Sequence, residues 1–138
     1  MNHLDESTTW SEYSSLDKRI LKALSKLGYT YPTLVQSKCI PLALLGKDVL
    51  VRARTGMGKT HAFSVPILHK ILMAKDADPD AEKNVSAIIL VPTKELCKQI
   101  EKVIFNFIST EIEWVALNNA DVKKDRHDTV IEFLETLE

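Results

Sequence analysis

Apolar residues recur at three- and four-residue steps in several stretches of the chain, and this spacing predicts amphipathic helices. One stretch covers residues 15–27, with Ser14 or Ser15 as its N-cap and Gly28 as its stop. Another begins after a predicted N-cap at Thr93. The buried side of that later helix is predicted to consist of Leu96, Ile100, Val103, Ile104 and Phe107.

Two continuous apolar runs predict buried β-strands, one at residues 49–52 and the other at residues 88–91. Between them, residues 61–73 have helical spacing with a kink expected at Pro66, and residues 74–84 read as a charged connecting loop. Strand, helix and strand in this order imply a right-handed crossover between parallel strands. The pattern therefore predicts an α/β fold with a mostly parallel sheet.

The loop that follows the first strand, residues 53–60, has the sequence Ala-Arg-Thr-Gly-Met-Gly-Lys-Thr and is typical of a phosphate-binding loop. Gly56 and Gly58 allow the backbone N–H groups to approach a phosphate closely. Lys59 is placed to reach the β- and γ-phosphates, and the Thr60 hydroxyl to bind Mg²⁺. The motif usually begins with glycine, and this loop begins with alanine. The alternative is an ordinary glycine-rich turn.

Residues 33–36 allow both a structural and a functional interpretation. Thr33 and Gln36 have the spacing of a capping box, in which the glutamine side chain folds back onto the Thr33 N–H at the start of a helix. On the local sequence alone, this structural role ranks slightly ahead of adenine recognition by Gln36. Because Pro41 and Gly46 follow, the helix is predicted to be short or kinked.

The turn at residues 92–94 comes directly after the second predicted strand. Ligands of open α/β sheets bind beyond the carboxyl ends of the strands, so this turn and the phosphate loop are predicted to lie on the same rim. Lys94, together with the N-terminal amides of the helix, is a candidate phosphate ligand. An ordinary exposed lysine beside a capped helix is equally compatible with the local sequence.

Composition and charge limit the class of protein. The chain has 138 residues, 45% of them hydrophobic and 27% charged, which is typical of one soluble globular domain. Residues 1–108 hold 15 Lys and Arg against 11 Asp and Glu, whereas residues 109–138 hold 3 against 8. The first part is therefore suited to nucleic acid and the tail is not. Two isolated cysteines, Cys39 and Cys97, favour a reducing compartment, cytosolic or nuclear.

Three of these segments together resemble the DEAD-box RNA helicases. Residues 28–36 are similar to the Q motif of that family, and residues 53–60 are similar to its motif I, which accounts for the initial alanine. Residues 92–96 are similar to its motif Ia, with Lys94 where arginine is usual. The resemblance leans toward the nucleolar members tied to assembly of the large ribosomal subunit.

The resemblance implies binding of ATP with Mg²⁺ and of RNA. It implies that Tyr29 stacks on adenine, that Gln36 reads the edge of the base, and that Thr60 is the Mg²⁺ ligand. The nucleotide-binding residues that it implies are Tyr29, Gln36, Arg54, Thr55, Gly56, Met57, Gly58, Lys59 and Thr60. Those implied to contact RNA are Pro92, Thr93 and Lys94. Met57 and His61 occupy positions where the family usually has small residues.

The implied fold is an incomplete, three-layer, RecA-like P-loop lobe. Residues 1–13 are expected to form an N-terminal flank, residues 8–36 the Q-motif region and residues 37–108 a partial ATP-binding domain. Residues 109–138 are an acidic tail without a family motif. Because several strands of the lobe have no counterpart here, one sheet edge is expected to be open and apolar.

The Asp-Glu-Ala-Asp motif of the family and its second lobe with an arginine finger have no counterpart in this sequence. We therefore expect the N-terminal part of an ATP-dependent RNA helicase that binds ATP–Mg²⁺ and RNA but does not hydrolyse ATP alone. The resemblance implies a ribosomal RNA precursor as substrate and the nucleolus as location. One alternative is a non-catalytic adenine-nucleotide and RNA-binding module. Another is a small-molecule kinase, for which the Q-motif and motif Ia matches would be coincidental.

Overall fold

The computed structural model describes residues 4–54, 58–80 and 86–111, with side chains in the last range as far as residue 106. In these residues a short 3-10 helix, Trp10–Glu12, precedes four α-helices. They are α1 (Lys18–Lys26), α2 (Leu34–Leu44), α3 (Lys59–Ala77) and α4 (Lys94–Glu111). Within the described residues, no helix combines the length and apolar content needed to cross a bilayer.

The N-cap of helix α1 is Asp17, whose carboxylate accepts a hydrogen bond from Arg19 N at 2.9 Å. The predicted cap at Ser14 or Ser15 was wrong. Leu16 continues the apolar spacing of the helix, but it packs into the core from the turn before the helix begins. At the other end the predicted stop is confirmed, since Gly28 follows the helix with a φ of 83°.

Helix α3 is longer than predicted at both ends. It begins at Lys59 directly after the phosphate loop, and it continues to Ala77, so residues 74–77 are helical rather than part of a connecting loop. Alanine and lysine are good helix formers, which favours this extension. Pro41 and Pro66 lie inside α2 and α3 without ending them.

The hydrophobic core lies between α1, α2 and α3, where α2 packs along α3 and α1 packs on α4. The buried residues of this cluster are Trp10, Leu16, Ile20, Ala23, Leu24, Ile40, Val65, Leu68 and Leu72. Cys97 and Ile100 are the buried side chains of α4 among its described residues, and Leu96, Val103 and Ile104 are half-buried. Phe107 lies outside the described side chains.

The segments predicted as strands differ from expectation. Residues 48–54 and 86–91 carry no regular secondary structure, and an isolated bridge between Leu4 and Thr33 is the sole β-type pairing in the described residues. Leu50 and Leu90 are 102% and 73% exposed. A strand forms when its N–H and C=O groups pair with a neighbour. The prediction of strands at residues 49–52 and 88–91, adjacent or nearly so, was wrong for these residues, because an apolar run does not specify the strand with which it pairs.

Candidate functional site

The centre of the candidate site is the N-terminus of α3. Gly58 is the N-cap, with a left-handed φ of 78° and no side-chain hydrogen bond to the helix. The first turn of the helix carries Lys59 and Thr60 and has no acidic residue. Unpaired N–H groups and the helix dipole at such an end favour an anion. Thr55, Gly56 and Met57, also predicted to bind the nucleotide, lie outside the described residues.

Lys59 bridges the two ends of the phosphate loop. Its Nζ donates a hydrogen bond to the carbonyl oxygen of Ala53 at 2.7 Å. Lys59 and Arg54 are both exposed. The ammonium group of Lys59 is therefore already directed across the loop, and it reaches a phosphate oxygen by exchanging one oxygen acceptor for another.

Gln36 makes the predicted capping contacts and a further contact to the start of α3. Its Oε1 accepts from Thr33 N at 2.9 Å, while its own backbone N donates to Thr33 Oγ1 at 3.2 Å, so the predicted capping box is confirmed. Its Nε2 donates to the carbonyl of Gly58 at 3.1 Å. A glutamine amide has two N–H donors and two acceptor lone pairs. Among the described residues these contacts use one donor and one acceptor of the amide, and the residue is buried. Adenine recognition stays a prediction.

Position 58, where the starts of α2 and α3 meet, requires a residue without a side chain. A Cβ added to this residue would lie 2.5 Å from Gln36 Nε2 and 2.8 Å from Thr33 Cγ2. The left-handed φ of Gly58 is unfavourable for any other residue type as well. The start of α2 is therefore packed directly against the start of α3. Residue spacing predicted the cap at Thr33 but not this contact, because spacing within one helix carries no information on the helix that packs against it.

Tyr29 lies close to the same helix end. Its backbone N donates to Leu24 O at 3.0 Å, and its side chain is 44% exposed. The centroid of its ring is 5.0 Å from that of His61, with 61° between the ring planes. Burial lowers the pKa of His61 below its ordinary value. Tyr29, Gln36 and the first turn of α3 are thus brought together, and their binding of a nucleotide stays a prediction.

Pro92, Thr93 and Lys94 lie at the N-terminus of a different helix, α4, and all three are exposed. Thr93 Oγ1 accepts from Leu96 N at 3.2 Å, which confirms the predicted N-cap. Glu95 places an acidic side chain in the first turn of α4. This geometry is compatible with the structural interpretation of the turn, and contact with RNA stays a prediction.

The sequence of the chain matches the family model described as "DEAD/DEAH box helicase" over residues 33–136. The chain belongs to this family. The match extends past the boundary at residue 108 that the motifs alone suggested, and the domain boundaries given above stay predictions. The chain is also 57% identical over 90 residues to "Probable ATP-dependent RNA helicase ddx56" of Dictyostelium discoideum, an alignment covering 65% of this chain and 13% of that protein.

Two solved structures of this family are similar to the chain. The helicase Prp28 from Chaetomium thermophilum, bound to ADP, has a TM-score of 0.61 and 37% identity over 71% of this chain and 23% of that one. The DEAD-box helicase Mss116, bound to ssRNA and UDP-BeF, has a TM-score of 0.68 and 29% identity over 96% of this chain and 27% of that one. The chain therefore has an α/β, RecA-like fold, as predicted, and spans a small part of the relatives it matches.

Proposed function

We propose that this chain is the N-terminal part of an ATP-dependent RNA helicase and that it binds ATP at the N-terminus of α3. The observation that carries the proposal is the hydrogen bond from Gln36 Nε2 to the Gly58 carbonyl, 3.1 Å long. It joins the segment that resembles the Q motif to the phosphate loop. One nucleotide can contact both segments only if they lie next to each other, one at the base and the other at the phosphates.

Different residues are assigned to the base and to the phosphates of the nucleotide. Tyr29 stacks on adenine with its exposed ring, and Gln36 pairs the second donor and second acceptor of its amide with the complementary groups on the edge of the base. Lys59 neutralises the β- and γ-phosphates, since its ammonium already lies across the loop. The backbone of the loop, with Arg54, Thr55, Gly56, Met57 and Gly58, surrounds the β-phosphate.

Mg²⁺ fits the residues that are present. Thr60 lies in the first turn of α3 and supplies a hydroxyl oxygen. In the described part of the chain, no group of three His, Cys, Asp or Glu side chains is placed to hold a metal. Mg²⁺ keeps several waters and readily binds through substrate phosphates. Thr60, together with the nucleotide, would therefore hold the ion, which would offset the charge of the phosphates.

RNA binding is assigned to the exposed turn at Pro92, Thr93 and Lys94, where Lys94 pairs with a phosphate. A single ammonium retains the charge of the more usual arginine but not its bidentate geometry. A ribosomal RNA precursor and a nucleolar location are the proposed setting. Support for them comes from Lys94 and from the sequence of residues 33–36, which resemble the nucleolar members of the family. The naming of the Dictyostelium relative as an RNA helicase supports RNA as the ligand.

We propose further that this chain alone binds ATP without turning it over. Phosphoryl transfer needs a held metal, an oriented water and an arginine on the developing charge. The sequence has no Asp-Glu-Ala-Asp motif to supply the first two. This favours the non-catalytic nucleotide and RNA-binding module as the second candidate function. Phosphate release by the purified chain, with and without RNA, tests this proposal: we expect no release, and release stimulated by RNA would contradict it.

The binding experiment is a calorimetric titration of the purified chain with ATP, GTP and inorganic tripolyphosphate, each with Mg²⁺. We expect ATP to bind more tightly than GTP by about 5- to 150-fold, the range that an unpaired polar group on a mismatched base costs. Tripolyphosphate should also bind, and Lys59→Ala should lower its affinity. Equal affinities for ATP and GTP would contradict the assignment of Gln36 and return it to its capping role alone.

A further inference from the structure

His61 and Tyr29 form a ring pair that connects two separate elements of the site. Tyr29 lies between α1 and α2, and His61 is in the first turn of α3, directly after Thr60. Their ring centroids are 5.0 Å apart and their planes are inclined at 61°. This contact joins the side chain proposed to stack on adenine to the helix that carries Lys59 and Thr60.

The backbone of Tyr29 is better fixed than its ring. Gly28, with a φ of 83°, places the segment, and the hydrogen bond from Tyr29 N to Leu24 O holds it. The side chain itself is 44% exposed, and an exposed aromatic side chain has several staggered rotamers open to it. A tilted ring pair favours one of them by about two- to tenfold. His61 therefore selects where the Tyr29 ring lies.

We propose that His61 is a positioning residue for adenine recognition. By holding the Tyr29 ring at a fixed place relative to Lys59 and Thr60, it sets the spacing between the base and the phosphate site. This role rests on the proposed function, because it needs Tyr29 to stack on the base. It makes a distinct prediction, since a ligand with phosphates but no base gains nothing from the ring pair.

The test is calorimetric titration of the 138-residue chain with ATP and with inorganic tripolyphosphate, both with Mg²⁺. His61→Ala should raise the Kd for ATP by about two- to tenfold, the contribution of a ring pair, and leave the Kd for tripolyphosphate unchanged. His61→Phe keeps a ring at this position and should restore ATP binding. In a Tyr29→Ala background, His61→Ala should have no further effect on ATP, because the partner ring is gone.

His69 provides the matched control. It lies on the same helix, and its Nδ1 accepts from Asp17 N at 3.0 Å, away from the nucleotide site. His69→Ala should lower the melting temperature and leave the ratio of the ATP and tripolyphosphate affinities unchanged. Comparing that ratio, at a temperature where every variant is folded, separates a loss of ring positioning from a loss of stability.

Several results would overturn the proposal. An equal loss of ATP and tripolyphosphate binding in His61→Ala would show that His61 acts on the phosphate loop. A loss that persists in the Tyr29→Ala background, or that His61→Phe does not restore, would show that the ring pair is not the cause. If Tyr29→Ala weakens ATP binding and His61→Ala does not, this role fails while the proposed function stands. If the unmodified chain binds neither ligand, the proposed function fails, and the role of His61 fails with it.

Discussion

Two helix N-termini in this chain were predicted to bind phosphate, and the structure makes them different. Helix α3 begins at Gly58, whose conformation is left-handed and which supplies no side-chain cap, and its first turn has no acidic residue. Helix α4 begins after Thr93, whose hydroxyl oxygen caps the Leu96 N–H, and Glu95 lies in its first turn. Both helices follow an apolar run in the sequence, yet α3 begins without a side-chain cap and α4 begins with one.

The difference matters because a helix end binds an anion through N–H groups that nothing else satisfies. At α4 the Thr93 hydroxyl oxygen already accepts from one of these N–H groups, and the Glu95 side chain places a negative charge in the first turn. At α3 the neighbouring side chains bond to carbonyl oxygens instead, Gln36 to Gly58 O and Lys59 to Ala53 O. No side chain caps the start of α3, so we expect α3 rather than α4 to be the stronger phosphate site.

The largest effect is expected from Gly58→Ala. The new Cβ would lie 2.5 Å from Gln36 Nε2, on a backbone with a φ of 78°. Steric overlap and left-handed strain together should lower the free energy of unfolding by about 2–4 kcal/mol, and ATP binding should be lost. Chemical denaturation and calorimetry measure the two effects.

Gly46→Ala is the matched control for Gly58→Ala. Gly46 has the same φ of 78°, but nothing lies within 4 Å of an added Cβ. Its replacement should cost about 1–2 kcal/mol of strain and leave the affinity for ATP unchanged. Equal destabilisation by the two substitutions would contradict the close packing of α2 on α3.

The second prediction compares the two lysines. Lys59→Ala should weaken ATP by about 10- to 150-fold, the value of a charged hydrogen bond, and should weaken tripolyphosphate to a similar extent. Lys94→Ala should leave ATP unchanged and weaken binding of single-stranded RNA, with a shallower dependence on salt. A comparable loss of ATP affinity in both variants would remove the distinction between the two helix ends.

The third prediction concerns Gln36. Gln36→Ala removes the bond to the Gly58 carbonyl and the second donor and second acceptor of the amide, so the preference for ATP over GTP should disappear. Loss of the hydrogen bond from Thr33 N to Gln36 Oε1, one half of the capping box, should also lower the free energy of unfolding by about 1 kcal/mol. Gln36→Glu is the informative control, because Glu keeps an acceptor for Thr33 N while it places a second oxygen against the Gly58 carbonyl. This variant should retain the cap and lose the base preference.

The sequence predicted those parts of the site that depend on local spacing. The capping box at Thr33 and Gln36, the cap at Thr93 and the stop at Gly28 are properties of one turn, and all three are confirmed. The family assignment was also available from three short motifs and is confirmed by the match over residues 33–136.

Other features depend on partners that a pattern along the chain does not specify. The contact of Gln36 with Gly58 and the ring pair of Tyr29 with His61 join residues 22 and 32 positions apart. The predicted strands failed in the described residues for the same reason, since Leu50 and Leu90 are apolar but exposed, with no ladder around them. The N-cap of α1 was misplaced because Leu16 fits the helical spacing from outside the helix.

The smallest effect is expected from Glu95→Gln at the start of α4. This change removes the acidic side chain from the first turn of α4 and leaves the Thr93 cap in place. A charge in the first turn of a helix is worth about 0.3–1 kcal/mol through the dipole, so RNA affinity should rise by about two- to fivefold at low salt. Stability should fall slightly, because the carboxylate also favours the helix. Titration of single-stranded RNA at two ionic strengths measures the change. An unchanged affinity for RNA would show that the capped end of α4 does not contact phosphate, and RNA binding by this chain would then have to be assigned elsewhere.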